Sequence, residues 1–89
     1  MYKKRILVTG SCGTIGSKLV DYLIDNEPNT EVLCLDNNES QLFFQEQKYL
    51  HNIRVSVFLG DIRDPERLRR VMQGVDIVFH TAALKHVVM

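Results

Sequence analysis

The segment best suited to chemistry is residues 9–16, where Gly10, Gly13 and Gly16 recur at every third position. It follows apolar residues 6–8 and precedes a helical pattern, which predicts a turn between a buried strand and a helix. Glycines permit backbone angles and close approaches that a β-carbon forbids, and a helix start offers unpaired N–H groups and a positive dipole end. The segment therefore predicts a pyrophosphate cradle. Gly10 would turn off the strand, Gly13 would let a dinucleotide lie on backbone, and Gly16 would allow close helix packing.

The context of the glycines favours dinucleotide binding over a purely structural turn. Their spacing is one residue longer in its first interval than the G-x-G-x-x-G fingerprint, but a second apolar run at 32–35 ends in Asp36, where a ribose-binding acid is expected. A 2′-phosphate would be repelled by this carboxylate, and Asn37 and Asn38 supply no positive charge. NAD is thus preferred to NADP. The alternative to ribose binding is that Asp36 is a solvated acidic residue of the turn.

Size and composition describe one small globular domain. The chain has 89 residues, 45% of them hydrophobic, and a formal net charge of zero, which gives no reason to propose nucleic acid or an anionic membrane as partner. Cys12 and Cys34 lack metal-ligand spacing and disulfide density, so reduced thiols in the cytoplasm fit best. No apolar run approaches the roughly 18 residues of a membrane span. We therefore expect neither a membrane partner nor a metal site.

Apolar periodicity and turn signals alternate between strand and helix along the whole chain. The predicted elements are strands over 6–8, 32–35, 55–59 and 75–79, a first helix that ends before Pro28, a second over 39–50 with Asn38 as N-cap, and a third from Pro65, with Asp64 as N-cap, to Gly74 as its C′ residue. This alternation predicts an α/β fold with a doubly wound parallel sheet of four strands and three helices. Strand four should return beside strand one, which makes the sheet order 3-2-1-4.

The helices are also predicted to present specific residues to the sheet. On the second helix, one face can hold Leu42, Phe43, Tyr49 and Leu50. On the third helix, the residues predicted to face inward are Leu68, Val71 and Met72. Phe44 cannot point the same way as both of its neighbours, so partial burial at the edge of the face is favoured over a subunit contact.

Other reactive side chains cluster at the end of the fourth strand. His80, Lys85 and His86 lie at or just beyond it, on the side where open α/β sheets bind ligands, but no catalytic triad or metal cluster can be assigned. Asp61, after the third strand, could reach an adenine edge or could equally be a turn residue.

The chain resembles the extended short-chain dehydrogenase/reductases in its glycine turn, in residues 60–64 (GDIRD) and in residues 79–83 (FHTAA). Residues 36–44 (DNNESQLFF) and 82–87 (AALKHV) are similar to the polysaccharide-biosynthesis branch, which includes UDP-N-acetylglucosamine 4,6-dehydratases. The resemblance covers essentially the whole chain and implies the N-terminal part, residues 1–89, of an NAD(P)-binding Rossmann domain.

The resemblance also implies roles for individual residues. The pyrophosphate would contact Ser11, Cys12, Gly13, Thr14 and Ile15, and the adenosine ribose would contact Asp36, Asn37 and Asn38. The adenine would contact Asp61 and Ile62. The nicotinamide-side ribose and the entrance to the sugar site would be lined by Ala82, Ala83 and Lys85. In such enzymes the cofactor removes hydride from the sugar 4-position and returns it at the 6-position after loss of water. Some members use NADP.

The implied function is therefore the cofactor-binding portion of a nucleotide-sugar 4,6-dehydratase or epimerase, a cytoplasmic homo-oligomer acting on a substrate such as UDP-N-acetylglucosamine. The family's catalytic Tyr-x-x-x-Lys is absent, because none of Tyr2, Tyr22 and Tyr49 has a lysine four residues later. These 89 residues alone are thus predicted to be inactive, since positioning cannot supply proton transfer. Two alternatives are a non-catalytic dinucleotide sensor and a methyltransferase, which also uses a glycine turn and an acid after strand two.

Overall fold

The computed structural model describes residues 4–81, which alternate strand and helix throughout. The elements are β1 (Lys4–Thr9), α1 (Thr14–Asn26), β2 (Thr30–Asp36), α2 (Glu39–Lys48), β3 (Val55–Leu59), α3 (Pro65–Val71) and β4 (Ile77–His80). The predicted α/β class and the order of the elements are confirmed. None of these helices combines the length and apolarity that crossing a membrane requires.

The strands form one parallel sheet in the order β3-β2-β1-β4. Leu7 on β1 pairs with Leu33 on β2 and with Val78 on β4, so β1 lies at the centre. Parallel pairing brings the carboxyl ends of all the strands to one edge of the sheet, and each loop that leads into a helix starts from that edge. The predicted return of β4 beside β1 is confirmed, and it places residues 9–16 at the middle of that edge.

The core has two halves, one on each face of the sheet. Because β1 and β2 are covered on both faces, their apolar runs are almost continuous instead of alternating. On the face covered by α1 the buried residues are Ile6, Val8, Val20, Leu23, Val32 and Cys34. On the face covered by α3 they are Leu7, Leu33, Leu35 and Val71.

Side chains on α2 and α3 depart from the predicted faces. Phe43 and Leu50 are 55% and 58% exposed, and Met72 is 40% exposed, so the expectation that they pack inward is wrong. On α2 the inward direction is taken by Leu42, and Phe43, about 100° further round the helix, points away. Phe44 is 66% exposed, more than the partial burial that was predicted. The less favoured alternative, a subunit contact at Phe44, is not tested by this exposure.

The helix ends differ slightly from expectation. The second helix ends at Lys48 instead of residue 50, with Tyr49 as its C-cap. The third ends at Val71 with Met72 as its C-cap, so the C′ residue is Gln73, and Gly74, predicted for that position, lies one residue beyond it. Gly74 nevertheless has a φ of +74°, the left-handed conformation that lets the chain leave the helix toward β4.

Candidate functional site

The glycine turn is tied by its backbone to the end of β2. Gly10 has a φ of +70°, which a residue with a β-carbon adopts only at a cost, and its N–H donates to the Leu35 carbonyl at 2.8 Å. Ser11 donates to the same oxygen at 3.3 Å, and Gly13 donates to the Gly10 carbonyl at 3.0 Å. These bonds make the turn compact and fix its position beside β2.

Gly16 lies where the first turn of α1 meets this backbone. A β-carbon there would come within 2.1 Å of the Gly10 oxygen and 2.8 Å of the Thr81 hydroxyl. Thr81 is buried at the end of β4, and its hydroxyl donates to the Thr9 carbonyl at 2.6 Å. Glycine is therefore required at position 16, because the start of α1 packs directly on the turn and on the end of β4.

The N-terminus of α1 differs from those of the other described helices. Its N-cap is Gly13, which has no side chain to accept a hydrogen bond, and its first turn contains no acidic residue. The first bond of the helix runs from the Ser17 N–H to the Gly13 carbonyl at 2.9 Å, so the preceding N–H groups, at positions 14–16, have no intrahelical acceptor. With the helix dipole, these groups form an electropositive site suited to an anion.

Asp36, at the end of β2, faces the turn from the side. Its carboxylate is nearly buried at 8% exposure and accepts hydrogen bonds from the Cys12 N–H at 2.9 Å and the Asn38 N–H at 3.0 Å. A carboxylate has about four acceptor positions, so capacity remains for further donors. Asp36 therefore helps to shape the turn, and its binding of a ribose diol remains a prediction.

The residues after Asp36 begin α2. The Asn38 side chain accepts from the Gln41 N–H at 3.1 Å, as the sequence predicted for an N-cap, and also from the Ser40 hydroxyl. Its amide oxygen is thus already engaged, while Asn37 is exposed beside it. A role for either residue in ribose binding is a prediction that these contacts do not test.

The loop after β3 lies next to Asp36, because the Gly60 N–H donates to the Asp36 carbonyl at 3.0 Å. Asp61 forms an ion pair of 2.7 Å with the Arg63 guanidinium, whose hydrogen bonds hold the pKa of the Asp61 carboxyl down at about 2. The Ile62 side chain packs against the α3-side core. Asp36, Asp61 and the glycine turn are thus brought to one edge of the sheet, and contact of Asp61 or Ile62 with adenine stays a prediction.

A buried amide that the sequence analysis overlooked lies behind the turn. Gln45 is 8% exposed and reaches Ser11, which is itself fully buried. The available signal was its spacing, since Gln45 follows the buried Leu42 by three residues and precedes the half-buried Tyr49 by four, which puts all of them on one helix stripe. A glutamine on such a stripe must find partners.

The remaining reactive side chains are either protected or at the edge of the described chain. Burial, followed by the charge of Cys12, raises the pKa of the Cys34 thiol to about 12, so Cys34 is unreactive at neutral pH. The His80 ring nitrogen Nδ1 is 2.8 Å from the Thr9 hydroxyl at the end of β4. Ala82, Ala83 and Lys85, which are predicted to contact the cofactor, lie outside the described residues, as does His86.

Comparison with known proteins places these features in a family. The family model described as polysaccharide biosynthesis protein matches residues 6–89. The chain is 48% identical over 84 residues to an uncharacterised membrane protein of Methanocaldococcus jannaschii, covering 94% of this chain and 25% of that protein. It is 37% identical over 86 residues to a UDP-N-acetylglucosamine 4,6-dehydratase (inverting) of Campylobacter jejuni, covering 96% of this chain and 25% of that enzyme.

A solved structure shows the same fold. A dTDP-glucose 4,6-dehydratase from Bacillus anthracis, determined in complex with NAD, superimposes with a TM-score of 0.77 at 24% identity over 86% of this chain and 26% of the other. At this identity the likeness concerns the fold, which is the Rossmann-type arrangement of four strands and three helices. The chain spans about a quarter of the length of these relatives.

Proposed function

Because this chain belongs to the polysaccharide biosynthesis protein family, we propose that it forms the N-terminal, NAD(P)-binding part of a nucleotide-sugar 4,6-dehydratase or epimerase. The proposal combines the family with the chemistry of one edge of the sheet. A UDP-linked N-acetylhexosamine is the proposed substrate class, since a relative 37% identical to this chain is named as a dehydratase of UDP-N-acetylglucosamine.

The observation that carries the proposal is the N-terminus of α1. Its N-cap is a glycine, its first turn has no acid, and the turn that precedes it is compact enough for a diphosphate to approach backbone. Two anionic phosphates would supply what the helix lacks, namely acceptors for the N–H groups of residues 14–16 and a negative charge at the positive end of the dipole.

Charges near the end of β2 support NAD as the preferred cofactor. Asp36 would lie nearest to an adenosine ribose, and Glu39 follows in the first turn of α2, whereas residues 37–40 contain no lysine or arginine. A ribose diol can donate hydrogen bonds to the Asp36 carboxylate, but a 2′-phosphate would be repelled by it.

The cofactor, when bound, supplies a nicotinamide that accepts a hydride from the sugar and returns it. Residues of this chain would hold the other end of the cofactor: the turn its diphosphate, Asp36 its ribose, and Asp61 and Ile62 its adenine. The general acid and base must come from other parts of the protein, because Tyr2, Tyr22 and Tyr49 each lack a lysine four residues later. The proposal includes a cytoplasmic site of action, because Cys12 and Cys34 have neither the spacing of metal ligands nor the density of a secreted disulfide scaffold.

Isothermal titration of the full-length protein with NAD, NADP and S-adenosylmethionine tests this function. NAD should bind with measurable heat and more tightly than NADP. Heat from S-adenosylmethionine alone would identify a methyltransferase and refute the proposal. Incubation with NAD and UDP-N-acetylglucosamine separates an enzyme from a non-catalytic sensor: mass spectrometry detects the loss of water by a dehydratase, and NMR detects the inverted sugar centre made by an epimerase.

A further inference from the structure

Gln45 is bonded to the glycine turn through both ends of its side-chain amide. Its Nε2 donates to the Ser11 carbonyl at 2.9 Å, and its Oε1 accepts from the Ser11 hydroxyl at 2.9 Å. The Cys12 thiol also donates to Oε1, at 3.5 Å. A single side chain on α2 therefore forms hydrogen bonds with two consecutive residues of the turn.

The chemistry of these partners requires an amide. The Ser11 carbonyl can only accept, so it needs an N–H, and the Ser11 hydroxyl can then donate to the amide oxygen. A carboxylate at position 45 would oppose the carbonyl with a second acceptor. An apolar side chain would leave the polar groups of Ser11, which is 0% exposed, without these partners.

The hydrogen bonds of Gln45 lie next to the proposed diphosphate site. Ser11 and Cys12 connect the left-handed Gly10 to the N-cap Gly13, so their position sets where α1 begins. The Asp36 carboxylate also accepts a hydrogen bond from the Cys12 N–H, at 2.9 Å. The turn is thus fixed by Gln45 and Asp36 before any ligand arrives, which lowers the ordering cost of binding.

We infer that Gln45 is a positioning residue for the cofactor, one that holds the Ser11–Cys12 backbone so that the N–H groups starting α1 meet the diphosphate. This inference rests on the proposed function, because it presumes that a dinucleotide binds at the turn. It adds Gln45, a residue of α2, to the determinants of cofactor affinity.

The test compares ligands with and without the diphosphate on the full-length protein. Gln45→Met keeps the length of the side chain but removes the amide, and Gln47→Met makes the same change at an exposed position of α2. We expect Gln45→Met to raise the Kd for NAD and ADP roughly tenfold, the effect of about one buried hydrogen-bonding group. The Kd for adenosine, which lacks the diphosphate, should stay unchanged, and Gln47→Met should resemble the wild type.

Each outcome decides between positioning and a merely structural role. Unchanged NAD affinity in Gln45→Met, or an equal loss of affinity for NAD and adenosine, would overturn the inference. The proposed function would still stand in that case, provided that the wild type binds NAD. Failure of the wild type to bind NAD would instead refute the proposed function itself. If Gln45→Met does not fold, Ser11→Ala is used instead, because it removes the hydrogen bond that the Ser11 hydroxyl donates to Gln45. This variant should lose affinity for NAD and ADP but not for adenosine. Equal NAD affinities in Ser11→Ala and the wild type would then overturn the inference.

Discussion

The N-terminus of α1 and those of α2 and α3 solve the same physical problem in different ways. All begin at the carboxyl edge of the sheet, and every helix start leaves N–H groups without intrahelical partners. On α2 the Asn38 side chain accepts from a backbone N–H at 3.1 Å, and on α3 Asp64 does so at 3.2 Å. Each also carries a glutamate in its first turn. The start of α1 has none of these side chains.

The contrast between the helices identifies the helix end that is available to a ligand. Helices α2 and α3 compensate their own dipoles with side chains, so an external anion would gain little there. Helix α1 instead begins at a glycine. Asp36 and Gln45 bond to Cys12 and Ser11 in the turn before it, so they leave the N–H groups of residues 14–16 available. The open helix start and the braced turn together define the proposed diphosphate site.

The largest effect is expected from Gly16→Ala, which forces the start of α1 away from the turn. The new β-carbon would meet the Gly10 carbonyl at 2.1 Å, and backbone cannot move aside as a flexible side chain can. Stability should fall by about 3 kcal/mol, with loss of NAD binding, as measured by urea denaturation and titration calorimetry. Lys18→Ala, at an exposed position of α1, is the control and should change little. A Gly16→Ala protein of wild-type stability would disprove the close packing.

Gly13→Asp should abolish the difference between the helices by giving α1 a cap of its own. Gly13 has φ −72° and ψ 174°, an extended conformation that aspartate adopts readily. The new carboxylate would occupy N–H groups and repel phosphates, so the Kd for NAD should rise roughly a hundredfold, while stability stays equal or gains a few tenths of a kcal/mol.

Gly13→Ala controls for the bulk of the new side chain, and it should weaken NAD binding less than Gly13→Asp does. Equal losses in the two variants would mean that the charge and capping of the aspartate are irrelevant. Calorimetric titration of both proteins at matched ionic strength measures the difference.

The converse change, Asp64→Ala, removes a cap from α3. Loss of the bond to the Arg67 N–H should destabilise the protein by about 1 kcal/mol. NAD affinity should be unaffected, because α3 closes its own N-terminus and has no assigned part in diphosphate binding. Urea denaturation and NAD titration of the same sample separate the two effects, and weaker NAD binding without loss of stability would reverse the roles assigned to α1 and α3.

The smallest effect concerns pH and the loop before α3, where an ion pair joins Asp61 and Arg63. Arg63 lowers the pKa of Asp61 from 3.8 to about 2. A lowered pKa in the folded state means that the ion pair contributes fully above about pH 3.8 and that its contribution is lost as the pH falls toward 2. The stability difference between wild type and Asp61→Asn should be small, constant above pH 4 and shrinking below it. Urea midpoints between pH 5 and 2 measure it, and a constant difference throughout would contradict the ion pair.

Much of the fold follows from the sequence because local signals agree with each other. The glycine turn, Asn38 and Asp64 mark helix starts by their own chemistry, and the alternation of strand and helix leaves few topologies for a parallel sheet. The order of strands could be predicted for this reason.

Side-chain direction was harder to predict because the neighbouring elements decide it. Phe43 and Met72 are apolar yet exposed, since Leu42 and Val71 beside them take the inward direction. Gln45 is polar yet buried, because Ser11, far away in sequence, provides its partners. Apolar periodicity gives the angle of a helix face but cannot show which polar residue will find a partner across the fold.

The central claim is that the start of α1 binds the diphosphate of a nicotinamide dinucleotide, and a crystal structure of the full-length protein with NAD tests it most directly. The account predicts diphosphate oxygens within hydrogen-bonding distance of the N–H groups of residues 14–16, with the adenosine ribose at Asp36. NAD bound elsewhere, with the start of α1 unliganded, would contradict it.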